Sequence, residues 1–76
     1  MTKAIDQDSL RTLLLAHAIR EARANRSDAS WQLSVRLGAS WHPVRSKREP
    51  VRTWPSLTAL GKFCDTVGIK ALSVEF

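Results

Sequence analysis

The chain has 76 residues, with twelve Lys and Arg against seven Asp and Glu, a net charge of +5 and 43% hydrophobic content that includes three Trp and two Phe. That composition argues for a single domain over residues 1–76 and against disorder, and a domain this small buries only about 60% of its unfolded surface, so a homodimer is a natural expectation. The one cysteine, Cys64, excludes an internal disulfide and fits a reducing, cytoplasmic setting, and no apolar run approaches the roughly 20 residues of a membrane span.

Residues 1–7 show no period and are expected to be flexible. A first helix is expected to start near Asp8 or Ser9, whose side chains can accept from orphan amides. Leu10, Leu13, Leu14, His17 and Ala18 then fall at three- and four-residue spacing, a stripe that buries with Glu21 at its edge. Arg11, Arg20 and Arg23 face water on this reading. His17 is read as a core or boundary residue, not a catalytic one. Leu13-Leu14-Leu15-Ala16 is too short for a secretory core, and acidic residues precede it. Asn25-Arg26-Ser27-Asp28 has no apolar period and ends the helix.

Trp31 to Leu37 alternates strictly, apolar then polar, which predicts a strand burying Trp31, Leu33, Val35 and Leu37. Gly38-Ala39 makes a two-residue connection of the type II′ kind, with Gly38 at positive φ. Ser40 to Val44 returns as a second strand, and Pro43, which has no amide proton to donate, puts it at a sheet edge.

Trp54-Pro55-Ser56-Leu57 opens the second helix, with Pro55 at the first helical position or Ser56 as the cap. Trp54 is expected to pack down as a staple on that helix, with a surface anchor as the other reading. Leu57, Leu60, Cys64 and Val67 recur at helical spacing, and Gly61 is read as allowing close approach to a neighbour. Gly68 supplies a left-handed C-terminal position, with Ile69 folding back onto the last turn. Leu72, Val74 and Phe76 form one face of a final strand.

These elements predict an α+β fold, a small α-β-β-α-β domain. Its three-stranded, mainly antiparallel sheet would carry both helices on one face. The expected strand order is 2-1-3 with the first strand central, and parallel pairing of the second and third strands is the alternative.

Catalytic and metal chemistry find no support in the sequence. Two histidines and one cysteine show no zinc spacing, and the three glycines are isolated rather than grouped in a phosphate loop. Cys64 sits at a core position as a small hydrophobe, with no flanking base to activate it. No cofactor is expected.

The informative feature is Arg45 to Arg52, Arg-Ser-Lys-Arg-Glu-Pro-Val-Arg, which holds four cations and one carboxylate in eight positions. From Ala29 to Thr53, Arg36, Arg45, Lys47, Arg48 and Arg52 stand against Glu49 alone, so this segment carries +4 of the chain's +5. Clustered cations attract polyanions, and nucleic acid is the first partner to consider. A solvated loop that keeps a small protein soluble is the alternative. The outward face of a single-layer sheet would add Arg36 and, depending on register, Trp41 or His42. Trp41 is a candidate for base stacking, and Trp41 packing in a core or dimer is the alternative. His42 is a candidate phosphate contact. Duplex DNA is also accessible to a two-stranded ribbon.

Residues 49–76, from Glu49-Pro50-Val51-Arg52 through Ser56-Leu57 and Gly68-Ile69 to the terminal strand, resemble short accessory proteins of bacterial plasmids and integrative elements, some labelled ParC-like or partition-associated. The resemblance covers about a third of the chain. It implies a mobile-element setting beside maintenance or transfer proteins, and it assigns no activity to particular positions.

The sequence therefore leads to a non-enzymatic, cytoplasmic accessory protein that binds nucleic acid, with DNA favoured. Arg36, Arg45, Lys47, Arg48 and Arg52 would contact phosphates, His42 would assist and Trp41 would stack. The rival reading is a protein-interaction module, a homodimer or an adaptor docking an acidic partner.

Overall fold

The computed structural model describes residues 3–76. Helix α1 spans Gln7–Leu15, and strands β1, β2 and β3 span Glu21–Ser27, Ser30–Leu37 and Ser40–Pro43. A two-residue strand β4 (Thr53–Trp54), helix α2 (Leu57–Val67) and strand β5 (Ser73–Glu75) complete the chain. The fold is α+β, with two helices and a mixed five-stranded sheet ordered β3-β2-β1-β5, in which β4 also pairs with β2.

The sheet differs from the three-stranded expectation because residues 21–27 form a strand, not the end of the first helix. Asp6 caps α1 by accepting from the Ser9 amide at 2.8 Å, so the helix starts earlier than expected. It ends at Leu15, where His17 turns left-handed with φ +56°. The His17 amide donates to the Leu14 carbonyl and the Ala18 amide to the Leu13 carbonyl, which closes the helix in a Schellman arrangement. His17 is thus an exposed capping residue, and its reading as part of the buried stripe is corrected. Beyond it, Ala22 and Ala24 point into the core as alternate residues of β1, and Asp28, with φ +56°, begins the tight turn to β2.

Inserting β1 resolves the topology. Strands β1 and β2 are antiparallel and β5 is parallel to β1, so β5 does run opposite to β2 but is separated from it by one strand. The expected β5–β2 contact does not form, and β5 does not pair with β3 in parallel. The hairpin from β2 to β3 follows the sequence reading, with Leu37 opposite Ser40 and Gly38 at φ +60°.

One core joins the inward faces of β1 and β2 to both helices. Leu33, Val35, Leu10, Leu60 and Val44 are fully buried, with Trp31, Trp54, Phe63, Cys64, Val67 and Ile69 around them. Trp54 packs on α2 as a core side chain, its ring 5.0 Å from that of Phe63. Ser56 is the cap of α2, accepting from the Ala59 amide at 3.1 Å, which leaves Pro55 outside the helix. Gly68, at φ +100°, ends α2 as expected, and the buried Ile69 follows it. Gly61 was expected to permit a close approach. A methyl group built there would meet nothing within 4 Å, so close approach is not its purpose.

The N-terminal segment is tied down from residue 3 onward. The Ile5 amide donates to the Pro43 carbonyl at 2.8 Å, the Arg45 amide donates to the Ile5 carbonyl at 2.9 Å, and the Ile5 side chain is buried. The expectation of flexibility over residues 1–7 lies, for residues 1 and 2, outside the described residues.

Candidate nucleic-acid interface

Two of the three groups into which the candidate residues divide lie on or beside the sheet. Across the outer face, the register sets Glu21, Arg36 and Trp41 side by side on β1, β2 and β3. Arg36 donates to Glu21 at 2.6 Å and to the Gly38 carbonyl at 2.9 Å, so its charge is already balanced. Trp41 lies on this face too, but the guanidinium of Arg23 covers its ring at 4.2 Å. Arg23 in turn stands 2.9 Å from Glu75 on β5, off the axis of its N–H, which makes the contact an ion pair and not an aligned hydrogen bond. Such partly exposed pairs are worth about 0–1 kcal/mol each. Their larger effect is to occupy the face.

His42 is opposite Val35 and so belongs to the other face from Trp41. Its Nδ1 is 2.8 Å from the Lys3 carbonyl. A carbonyl oxygen only accepts, so the proton sits on Nδ1 and leaves Nε2 as the second ring nitrogen. Trp41 and His42 therefore do not act on one surface, as strand alternation requires.

The third group is the loop itself. Residues 45–52 leave the sheet after Val44 and return at Thr53, and the Arg52 amide donating to the Val44 carbonyl at 2.8 Å closes the neck. Inside the loop the Glu49 amide donates to Ser46 Oγ at 3.0 Å, and the Ser46 amide to the Glu49 carbonyl at 3.2 Å. The Glu49 carboxylate faces the hydroxyls of Ser46 and Thr53, both at 3.4 Å. The loop's one acid is thus engaged with hydroxyls, and its backbone forms a defined turn. Arg45, Lys47 and Arg48 are exposed, and among the described residues none of them forms an ion pair within 4 Å.

Arg52 behaves differently from its neighbours. Its guanidinium lies 4.9 Å from the Trp54 ring centroid and 4.8 Å from that of Phe63, so it roofs the core at the start of α2. Arg45, Lys47 and Arg52 also share a groove with Asp6 and Asp8 at the start of α1. Hydrogen bonds from Ser9, and after them the Arg45 charge, hold the Asp6 carboxyl below its ordinary range. On the helix side the cations consequently meet acids. Arg48 is the loop cation that stands outside this groove, and Lys47 lies on its wall.

Sequence reasoning missed Arg23, Glu21 and Asp6. The first two were assigned to a helix, and only once 21–27 is a strand does alternation put Glu21, Arg23 and Asn25 on the outer face. Asp6 was hidden by the late helix start.

Burial, and secondarily the neighbouring Asp65 carboxylate, pushes the Cys64 thiol up from its ordinary value. A protonated thiol that is 4% exposed is a poor nucleophile. Among the described residues no group of three or more His, Cys, Asp or Glu side chains is placed to hold a metal ion, and no helix is long and apolar enough to cross a membrane. No protein-family model, curated protein or solved structure matches the chain.

Proposed function

We propose that this protein binds nucleic acid, with DNA favoured, through the 45–52 loop, and that Arg45, Lys47 and Arg48 make the phosphate contacts. The observation that carries this reading is the loop's construction: three exposed cations, with no ion pair within 4 Å among the described residues, stand on a turn whose single carboxylate is engaged with Ser46 and Thr53. A pre-formed turn loses less entropy on binding than a mobile tail would. Arg52 supports the loop from its stem, stacked on Trp54 and Phe63. Arg36, Trp41 and His42 contribute less than their sequence suggested, because each is already engaged by Glu21, Arg23 or Lys3.

Contacts of this kind read charge and spacing and not base identity, so the binding is non-specific and steeply salt-dependent. The likeness of residues 49–76 to plasmid and integrative-element accessory proteins extends the proposal to a non-enzymatic accessory role beside maintenance or transfer proteins in the bacterial cytoplasm. Titration of labelled oligonucleotides at two salt concentrations tests the binding. The rival protein-interaction reading draws on a separate observation, the outer edge of β5, which no described residue pairs with.

A further inference from the structure

Strand β5 ends the strand order, so its outer edge has no partner among the described residues. Sheet edges are commonly blunted by proline, lysine, a bulge or a covering segment. The opposite edge has two of these devices: Pro43 lies in β3, and Ile5 bonds along the chain at Pro43 and Arg45. Ser73-Val74-Glu75 has neither, and the Glu75 carboxylate is turned toward Arg23. Among the described residues the exposed large apolar side chains are Leu15 at 83%, Val74 at 38% and Phe76 at 87% exposure, and Val74 lies in this edge strand with Phe76 just beyond it. Phe76 touches Trp31 edge-on at 5.5 Å, yet nearly all of its surface faces water.

A mainly apolar groove of about 500 Å³ opens at one end of the same edge, lined by Leu14, Leu15, Ile19, Val67 and Ile69, with Arg20, Glu21 and Lys70 also in its wall. Ile19 leads into β1 and Ile69 leads toward β5, so the groove lies where these two parallel strands begin. A strand added antiparallel to β5 would bring its own C-terminal end to that place.

We propose that a second copy of this chain supplies that strand, pairing β5 with β5 about a two-fold axis and inserting its Phe76 into the groove. An axis through Val74 sets Val74 against its copy, Ser73 against Glu75 and Leu72 against Phe76. No like charges face one another in this register. The exposed Phe76 and the groove that receives it are on the same chain, so each copy gives one knob and accepts one, as an isologous interface requires. A two-fold pairing of this kind uses the β5 edge of both copies, so it closes at two copies and does not run on into a fibre. The basic loops then stand at opposite ends of a shared sheet, seven strand spacings or about 34 Å apart across the flattened sheet.

The test is sedimentation equilibrium of the whole chain over a wide concentration range, in buffer free of nucleic acid, so that its outcome is independent of the binding reading. The native chain is expected to show a monomer–dimer equilibrium. Leu15→Lys, a change at a side chain that faces water in the monomer, places a charge in the groove and should raise the dissociation constant by about tenfold or more. Val74→Lys should do the same at the strand edge. Both variants should retain the native circular dichroism spectrum. Amide exchange at residues 73–75 should slow as protein concentration rises. A monomer at every concentration overturns the proposal, as does a dimer that both lysine variants leave intact or one without protection at 73–75.

Discussion

Arg23 reaches across the outer face of the sheet, its guanidinium 4.2 Å over the ring of Trp41 on β3 while its Nε lies 2.9 Å from Glu75 on β5. One side chain thereby ties both edge strands to β1 and covers the aromatic ring most suited to stacking on a base.

Arg23→Ala should uncover that ring. Trp31 and Trp54 are only 8% and 4% exposed, so added quenching of tryptophan fluorescence by acrylamide reports Trp41. We expect a larger quenchable fraction and a stability loss of about 0.5–1 kcal/mol. Unchanged quenching would mean that Arg23 does not cover Trp41 in solution.

His17 should be better as glycine. It holds φ +56° at the end of α1, a conformation that costs a non-glycine residue about 1 kcal/mol. His17→Gly should therefore raise the melting temperature by roughly 4–8 °C for a domain of this size. A lower melting temperature would refute the Schellman ending of α1.

Gly61 gives the opposite expectation. It lies inside α2 with open space where a methyl group would go. Gly61→Ala should stabilise the fold by about 0.5–1 kcal/mol, measured by urea unfolding. A loss of stability would reveal a packing demand at that position.

Cys64 should resist thiol reagents in the folded protein and react quickly in denaturant. Its folded pKa is raised above the ordinary 9.0, so the folded state keeps the proton to higher pH than the unfolded chain does. The corresponding stability is complete below the unfolded value and is lost as pH rises through the folded one. Rapid native labelling at neutral pH would contradict the buried placement.

Much of this fold was legible where local pattern and tertiary structure agree. The alternation from Trp31 to Leu37, the Gly38 turn, Ser56 as the cap that competes with Pro55 at the first helical position, and the Gly68 ending all follow from rules of a few residues' range. The stretch from Glu21 to Ser27 was not legible, for a physical reason. Its inward positions are Ala22 and Ala24, and alanine favours helix in isolation while fitting a strand here only because the sheet and core surround it. His17 misled in the same way, since a histidine at helical spacing gives no sign that its backbone has turned left-handed. The site followed the fold: losing β1 hid Arg23 and Glu21, and with them the fact that Trp41 and Arg36 are engaged. The loop cations were readable from charge alone, because an exposed turn rich in Lys and Arg needs no tertiary contact to be cationic.

The central claim is tested most directly by fluorescence anisotropy of a labelled duplex titrated with the native chain and with Lys47→Glu/Arg48→Glu over a range of salt. Three loop contacts predict a slope of log affinity against log salt of about −2.7, at about −0.9 per phosphate, whereas all five sequence-nominated cations would give about −4.5. The charge-reversed variant should lose binding to every sequence tried while keeping its fold. Affinity that ignores salt, or that survives reversal of Lys47 and Arg48, would contradict the account.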